Sequence, residues 1–234
     1  MNPTRSALAL ALLTACGGSS SDPTTSDSGT SEPRFDGAAF EIDLTASTLV
    51  KPEGDTAQAL MDLLLDDLTM VVQFRGDEAS PSAISAVGFI EAGVFTQDLC
   101  SRTVSFDGSL SWSDPDVVIA AENWTFEAYD LSVPIRELDM SAVLSADGQT
   151  LEDFALSAHM DSEDFVVPKG ETPPCELVGT FGVDCIACDD DPNRLECLSV
   201  ELSDGTASRV EVGVDLVTVT AADVAARSDC ETSD

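Results

Sequence analysis

Apolar and polar side chains alternate along much of the chain from residue 39 onward. In Ala39–Leu49, Phe40, Ile42 and Leu44 alternate with acidic and hydroxyl side chains, which is the period of a strand with one buried face. Similar short segments follow, separated by Asp-Gly, Asp-Pro and Gly-rich turns. They predict strands at Thr69–Arg75, Ile84–Glu91, Thr103–Trp112, Val117–Ala121, Trp124–Val133, Asp139–Ser145, Leu151–His159, Cys197–Glu201 and Val210–Thr220.

One segment has the period of a helix instead of a strand. Its apolar positions recur at intervals of three and four residues, and Asp55 or Thr56 can cap its start. The polar side of this segment carries aspartates and no lysine, which disfavours a membrane-lying helix. The pattern predicts one short amphipathic helix over 56–68, packed on the mouth or edge of a sheet through Ala57, Leu60, Met61, Leu64 and Leu68.

Together these elements predict a mainly β fold. The clearest hairpin turns at Ala146–Gln149, where Asp-Gly lies between two alternating arms. Many short strands at regular spacing are typical of an antiparallel β-barrel or sandwich built as a meander. In its last strand, Val212, Val214, Leu216 and Val219 are expected to face the interior.

The first sixteen residues read as an export signal. Arg5 is followed by a ten-residue apolar stretch, Ser6–Ala15, which fits an export signal and is too short to span a bilayer. Leu13-Thr14-Ala15-Cys16 resembles the lipobox of bacterial lipoproteins. The resemblance implies a signal peptide at 1–15, removed by cleavage, and a mature chain whose Cys16 carries a diacylglycerol and an N-linked acyl chain such as palmitate.

The residues after Cys16 indicate in which membrane the protein is anchored and how far its folded domain lies from the lipid. Gly17 stands where aspartate would retain a Gram-negative lipoprotein at the inner membrane, so the resemblance implies a lipid-anchored protein of the cell outer membrane. Residues 16–34 contain the lipidated cysteine and a Gly/Ser/Thr tether without aliphatic or aromatic side chains from Gly17 to Arg34. Such a tether reaches roughly 23 Å. Residues 35–234 are expected to form a single β-rich domain with a Cys-rich segment at 170–200.

The charge balance restricts the partners. The chain has 44 acidic and 10 basic side chains, a formal net charge of −34. Nucleic acid needs a basic surface on its protein partner and is therefore excluded, and anionic lipid headgroups are repelled unless divalent cations intervene. A solvated acidic surface is the simplest interpretation, with a cation or a cationic partner as the alternative.

Six cysteines besides Cys16 indicate disulfides, because their number is even and the chain is expected to be exported. Six cysteines allow 15 connectivities. Among these we favour two short local loops and one bridge that ties distant ends of the domain: Cys175–Cys185, Cys188–Cys197 and Cys100–Cys230.

The Cys185–Cys188 CxxC spacing also suits a redox pair or, with Cys175 and Cys197, a zinc site. Asp184 and the aspartates at 189–191 surround it with negative charge, which disfavours a reactive thiolate, and export disfavours zinc. We therefore expect structural disulfides.

Oxygen ligands at alternating positions mark a calcium candidate at Asp189, Asp191 and Asn193. Arg194 and Val200 stand where an EF-hand has glycine and glutamate, so an EF-hand is excluded. A weaker Ca²⁺ site or a solvated acidic turn are the two interpretations left. No other cofactor is expected.

Catalytic signals are weak. His159 is the sole histidine and lies in a predicted strand without a GxSxG motif in the chain, so a nucleophile triad is disfavoured. Carboxylate pairs for glycoside hydrolysis carry no information among 44 acids. Aromatic side chains of the central strands can form a core belt or line a ligand cavity; they are Trp112, Trp124, Phe126 and Tyr129.

The tether, the β meander and the late GVDCIAC…CLSVE cysteine cluster resemble lipoproteins of myxobacteria and other predatory or marine Gram-negative bacteria. That resemblance implies no activity. We therefore expect a non-enzymatic lipoprotein that displays an acidic β domain for interaction or envelope structure. The strand pattern alone also resembles lipocalin-like barrels, which makes a carrier of a small apolar ligand the main alternative, and a hydrolase the weaker one.

Overall fold

The computed structural model describes residues 35–54, 58, 69–128, 131–162, 174–180, 182–188 and 196–230. The predicted helix at 56–68 lies outside these residues except for Gln58. The described elements are β1 (Ala39–Asp43), β2 (Thr48–Lys51), β3 (Thr69–Arg75), β4 (Ser82–Glu91), β5 (Val94–Gln97), β6 (Val104–Ser105), β7 (Leu110–Ser113), β8 (Asp116–Ala128), β9 (Leu131–Leu144), β10 (Thr150–Asp161), β11 (Cys197–Arg209), β12 (Glu211–Val212), α1 (Pro174–Gly179) and α2 (Ala221–Ala226).

The strands form one sheet made of two meanders joined by a late strand. The order is β12-β5-β4-β3-β1-β11-β10-β9-β8-β7, with β2 paired to β11 and β6 to β4. The meander β1-β3-β4-β5 and the meander β7-β8-β9-β10 are each antiparallel and local in sequence. Strand β11 pairs antiparallel with β1 on one side and with β10 on the other. The mainly β prediction is confirmed.

The sheet curls on itself, although it does not close. Trp112 on β7 and Phe74 on β3 are six strands apart, roughly 29 Å in a flat sheet, yet their ring centroids are 6.1 Å apart. Phe35 stacks on Trp112 at 5.1 Å. Among the described strands no ladder joins β7 to β12, so the architecture is an open curled sheet, and the barrel alternative of the prediction is not closed.

The inner face of the curled sheet holds the main core. Strands of both meanders contribute alternate apolar side chains to it, and Phe40 and Ile42 of β1 are buried as predicted. Gly205 on β11 faces Phe154, where an added Cβ would lie 2.8 Å from the Phe154 ring. A glycine at this position therefore lets the ring enter the core.

Several predicted strand boundaries are wrong. The alternation of apolar and polar residues shows neither where a turn interrupts a strand nor how far a strand stays paired. Thr103–Trp112 is divided into β6 and β7 by a turn at 106–109. Val117–Ala121 belongs to the single long strand β8, and Asp139–Ser145 lies almost wholly in β9. The hairpin turn at Ala146–Gln149 is confirmed by the bond from Ser145 N to Thr150 O at 2.9 Å.

The segment 210–220, here called the strap, differs most from its prediction. Only Glu211 and Val212 form a ladder, parallel to Val94 and Phe95 of β5, so the sheet is mixed. The rest crosses the outer face of the first meander. Leu216 and Val219 are buried as expected, but Val214 is 81% exposed. Leu216 is buried against the outer face of the sheet, whereas the prediction placed it on the inner face.

Candidate functional site

The outer face of the second meander is exposed, and it is the best candidate for a functional surface. We call it the open face. It consists of the outward side chains of β8–β10 and the adjoining part of β11: Val118, Ala120, Glu122, Glu137, Asp139, Ser141, Ser157, His159 and Glu201. Its neighbours along each strand point into the core, as Val117 and Ile119 do on either side of Val118.

Strand register places negative charges side by side on the open face. Glu122 on β8 lies directly opposite Glu137 on β9, and Asp139 follows two residues further along the same face. Like charges opposite each other in an antiparallel pair destabilise the sheet. The open face therefore holds a local excess of negative charge that a cationic group would relieve.

Positive groups sit at the margins of this surface. A register row runs from Asp139 through Ser157 and Glu201 to Lys51 on β2. Lys51 Nζ lies 2.8 Å from Glu201 Oε2, and this hydrogen bond, together with the Glu201 charge, raises the pKa of Lys51 above its usual value. His159 Nδ1 lies 3.9 Å from Glu137 Oε2. His159 is thus a half-buried strand histidine beside a carboxylate.

A buried ion pair adjoins one end of the open face. Asp161 at the end of β10 is fully buried, and its Oδ2 accepts hydrogen bonds from Arg136 Nε at 3.2 Å and Arg136 Nη2 at 2.9 Å. A paired, hydrogen-bonded carboxylate avoids most of the cost of burying a lone charge. Sequence reasoning missed this pair, because its members are 25 residues apart and only the β9–β10 register brings them together.

The same carboxylate lies beside the Cys188–Cys197 disulfide. A ligand atom of Asp161 and the two sulfur atoms all lie within 4.8 Å of one another. The sulfurs are bonded to each other, and metal binding by cysteine requires thiolates. In the oxidised protein this group is therefore a packing contact under the Cys-rich segment.

The three disulfides are the pairs favoured from the sequence. Cys175–Cys185, Cys188–Cys197 and Cys100–Cys230 have Cα atoms 5.7, 5.0 and 5.3 Å apart. The cysteines of the CxxC spacing belong to two different bridges, so they do not form a redox pair with each other. The lipidation residue Cys16 and the calcium candidates Asp189, Asp191 and Asn193 lie outside the described residues.

The inner face of the curled sheet has one small described cavity. Within the described part of the chain, a cavity of about 20 Å³ lies on the inner face, lined by Ile42, Val72, Phe74, Ile119, Met140 and Phe154 among others. That is about the volume of one water-sized probe, whereas small-molecule sites run to roughly 300–1,000 Å³. Trp112 packs into the core with Phe35 and Phe74; Tyr129 and the side chains of Trp124 and Phe126 lie outside the description.

Comparisons with protein-family models, curated proteins and solved structures found no match for this chain. Among the helices described, none is both long and apolar enough to cross a membrane.

Proposed function

We propose that this protein is a lipid-anchored lipoprotein of the outer membrane, without enzymatic activity, whose β domain binds a cationic protein partner. The observation that carries the proposal is the open face, where Glu122 and Glu137 face each other and Asp139 extends the negative charge. A surface of this kind steers and selects partners of opposite charge. The cavity of about 20 Å³ on the inner face is too small for a drug-sized ligand, so it gives the carrier alternative no support.

The anchor is proposed from Leu13-Thr14-Ala15-Cys16 and from Gly17. Two or more acyl chains on Cys16 would hold the protein stably at a bilayer, whereas a single chain is marginal. Substitution Cys16→Ser should therefore move the protein from the membrane fraction to the soluble fraction, with loss of metabolic palmitate labelling. Retention of Cys16→Ser in the outer membrane would contradict the anchor.

Calorimetric titration with a synthetic peptide tests the interaction proposal. The peptide carries lysine at alternate positions, so that one side of an extended chain presents the positive charges. A triple variant, Glu122→Gln with Glu137→Gln and Asp139→Asn, should bind this peptide at least tenfold more weakly than the unchanged protein. The affinity of the unchanged protein should fall as salt is added, because surface charges are screened.

A matched control separates the open face from net charge. Glu78, Glu91 and Glu211 are exposed acids in other parts of the domain, and changing all three to glutamine removes the same charge. If this control weakens peptide binding as much as the open-face variant does, the open face is not the binding surface and the interaction is non-specific.

Native mass spectrometry of the mature protein distinguishes the remaining alternatives. A retained organic mass would support the carrier reading against our proposal. The calcium candidate at Asp189, Asp191 and Asn193 stays a prediction from the sequence, and a chelator-sensitive increment of about 40 Da would support it.

A further inference from the structure

The strap is bound to the sheet chiefly through its backbone, by side chains of the sheet. Gln97 makes a two-bond contact with the backbone of one residue, since its Nε2 donates to Val217 O at 2.8 Å and its Oε1 accepts from Val217 N at 2.9 Å. Thr103 binds the backbone of Val219 in a similar way. Its backbone N donates to Val219 O at 3.1 Å, and its Oγ1 accepts from Val219 N at 2.9 Å. The Gln97 amide, the Thr103 hydroxyl and the Thr103 backbone N–H thus take the place of the ladder that an added strand would form.

Gln73 is the most buried polar group in this contact. It is 1% exposed, its Oε1 accepts from Leu216 N at 2.9 Å, and its Nε2 donates to Asp215 Oδ1 at 3.0 Å. Arg75 donates to both Gln73 Oε1 and Leu216 O. A buried amide without partners is costly, so Gln73 requires an occupant of this face that supplies a backbone N–H and an acceptor oxygen, as Leu216 and Asp215 do.

Two side chains of the strap are fully buried, and two more, Val210 and Val212, are partly buried against the outer apolar cluster of the sheet. Leu216 is buried among Val71, Ile84, Ala86 and Phe95, and Val219 is buried three residues later. Val214 and Val217 remain 81% and 49% exposed. Backbone hydrogen bonds combined with pockets for selected side chains are the properties of a surface that recognises extended peptides.

We propose that the outer face of β3, β4 and β5 is a groove for an extended segment of a partner protein, and that the strap occupies it as an intramolecular competitor. The segment it fits carries two aliphatic side chains three residues apart, as Leu216 and Val219 are. This groove is separate from the open face, so the inference does not depend on the function proposed above.

The strap is held at both ends, which sets the conditions for exchange. It continues directly from β11 at Arg209, and the Cys100–Cys230 disulfide fixes the chain beyond it. A doubly tethered segment has a high effective concentration at its own site. A partner segment therefore competes only when the strap is loosened, and the strap acts as an autoinhibitory contact.

The test uses the full chain with a loosened strap. The release variant combines Cys100→Ser, Cys230→Ser and Leu216→Ser, which frees the far end and removes the main side-chain contact. The probe is a fluorescent peptide of residues 211–220, EVGVDLVTVT. We expect saturable binding, followed by anisotropy, to the release variant and at least a hundredfold weaker binding to the unchanged protein.

Two controls define the site. Adding Gln97→Ala to the release variant removes both bonds to the backbone at the position of Val217, and should weaken binding about tenfold. A peptide with serine at the positions of Leu216 and Val219 should not bind. A release variant that dimerises by exchanging straps also supports the groove, because a second copy then supplies the segment. A folded release variant that fails to bind the probe, or binds it equally without Gln97, would overturn the proposal.

If the release variant does not fold, hydrogen exchange on the unchanged protein tests whether the strap leaves the groove. The amides of Leu216, Val217 and Val219 should exchange faster than those of the central strand β11, because the strap opens while the sheet stays intact. If they exchange only with global unfolding, the groove never becomes vacant and the inference fails.

Discussion

The two meanders share one core but differ on their outer faces. On the first, outward residues such as Val71, Ile84 and Phe95 are apolar and lie under the strap. On the second, the corresponding positions carry Glu122, Glu137 and other exposed polar groups. The first meander is thus buried on both faces, because the strap crosses its outer face. The second meander has one face on the core and one in solvent, which is common in antiparallel sheets. The difference is that one outer face is covered by the chain's own strap while the other is exposed.

The largest expected effect concerns the disulfide that ties down the covered region. Cys100–Cys230 joins residues 130 apart, whereas Cys175–Cys185 joins residues 10 apart. In the chain-entropy model their removal costs about 5 and about 3 kcal/mol respectively. Urea denaturation of the two double serine variants should show the greater loss for Cys100–Cys230. An equal or smaller loss would mean that the strap end contributes little.

A second prediction compares buried and exposed positions of the strap. Leu216→Ala should lower the free energy of unfolding by about 2–4 kcal/mol, because it leaves a void against Val71, Ile84 and Phe95. Val214→Ala, at an 81% exposed side chain, should change it by less than about 0.5 kcal/mol. Thermal denaturation measures both, and similar values for the two variants would contradict the described packing.

The third prediction concerns the open face. Glu122→Gln removes one of two opposed carboxylates and should stabilise the protein by about 0.2–1 kcal/mol at low salt. The gain should disappear at high ionic strength. Glu91→Gln is the control, since Glu91 lies opposite Val94 and not opposite a carboxylate. A gain that persists in high salt would point to a cause other than charge repulsion.

The smallest effect is expected at the exposed helix α2. Hydrogen bonds from the Thr220 side chain and backbone lower the pKa of Asp223 below its ordinary value, because they favour the charged carboxylate. The capping contribution is therefore present at neutral pH, and it is lost as pH falls through the lowered pKa. The protection of the α2 amides, measured against their intrinsic exchange rates at each pH, should fall at acid pH, and Thr220→Val should remove most of that dependence. An unchanged pH response in Thr220→Val would contradict the capping box.

The local alternation of apolar and polar residues was enough to predict a mainly β fold and several of its strands. Thr69–Arg75 has its predicted bounds because its flanks and alternation are unambiguous. The alternation of Val210–Thr220 predicted a strand, but only Glu211 and Val212 pair, because alternation does not tell whether a segment pairs along an edge or crosses a face. That choice depends on Gln73, Gln97 and Thr103, which lie more than 100 residues away.

The candidate surface could not be located from the sequence for a related reason. With 44 acids in the chain, no single glutamate stands out. Glu122 and Glu137 become neighbours only through the β8–β9 register, and Arg136 and Asp161 only through β9–β10. The disulfide map was easier, because two of the three loops are short enough to be local.

The central place of β11 has a consequence for the timing of folding. The strand that joins both meanders comes last but one along the chain, at Cys197–Arg209. During synthesis, β1 and β10 emerge before β11, their common partner. Until β11 is made, each has an edge with unpaired backbone groups, and such edges promote aggregation. Pairings of such long sequence separation form slowly. We therefore expect the domain to stay incompletely folded until its final 40 or so residues are available, so that a chaperone has time to hold it.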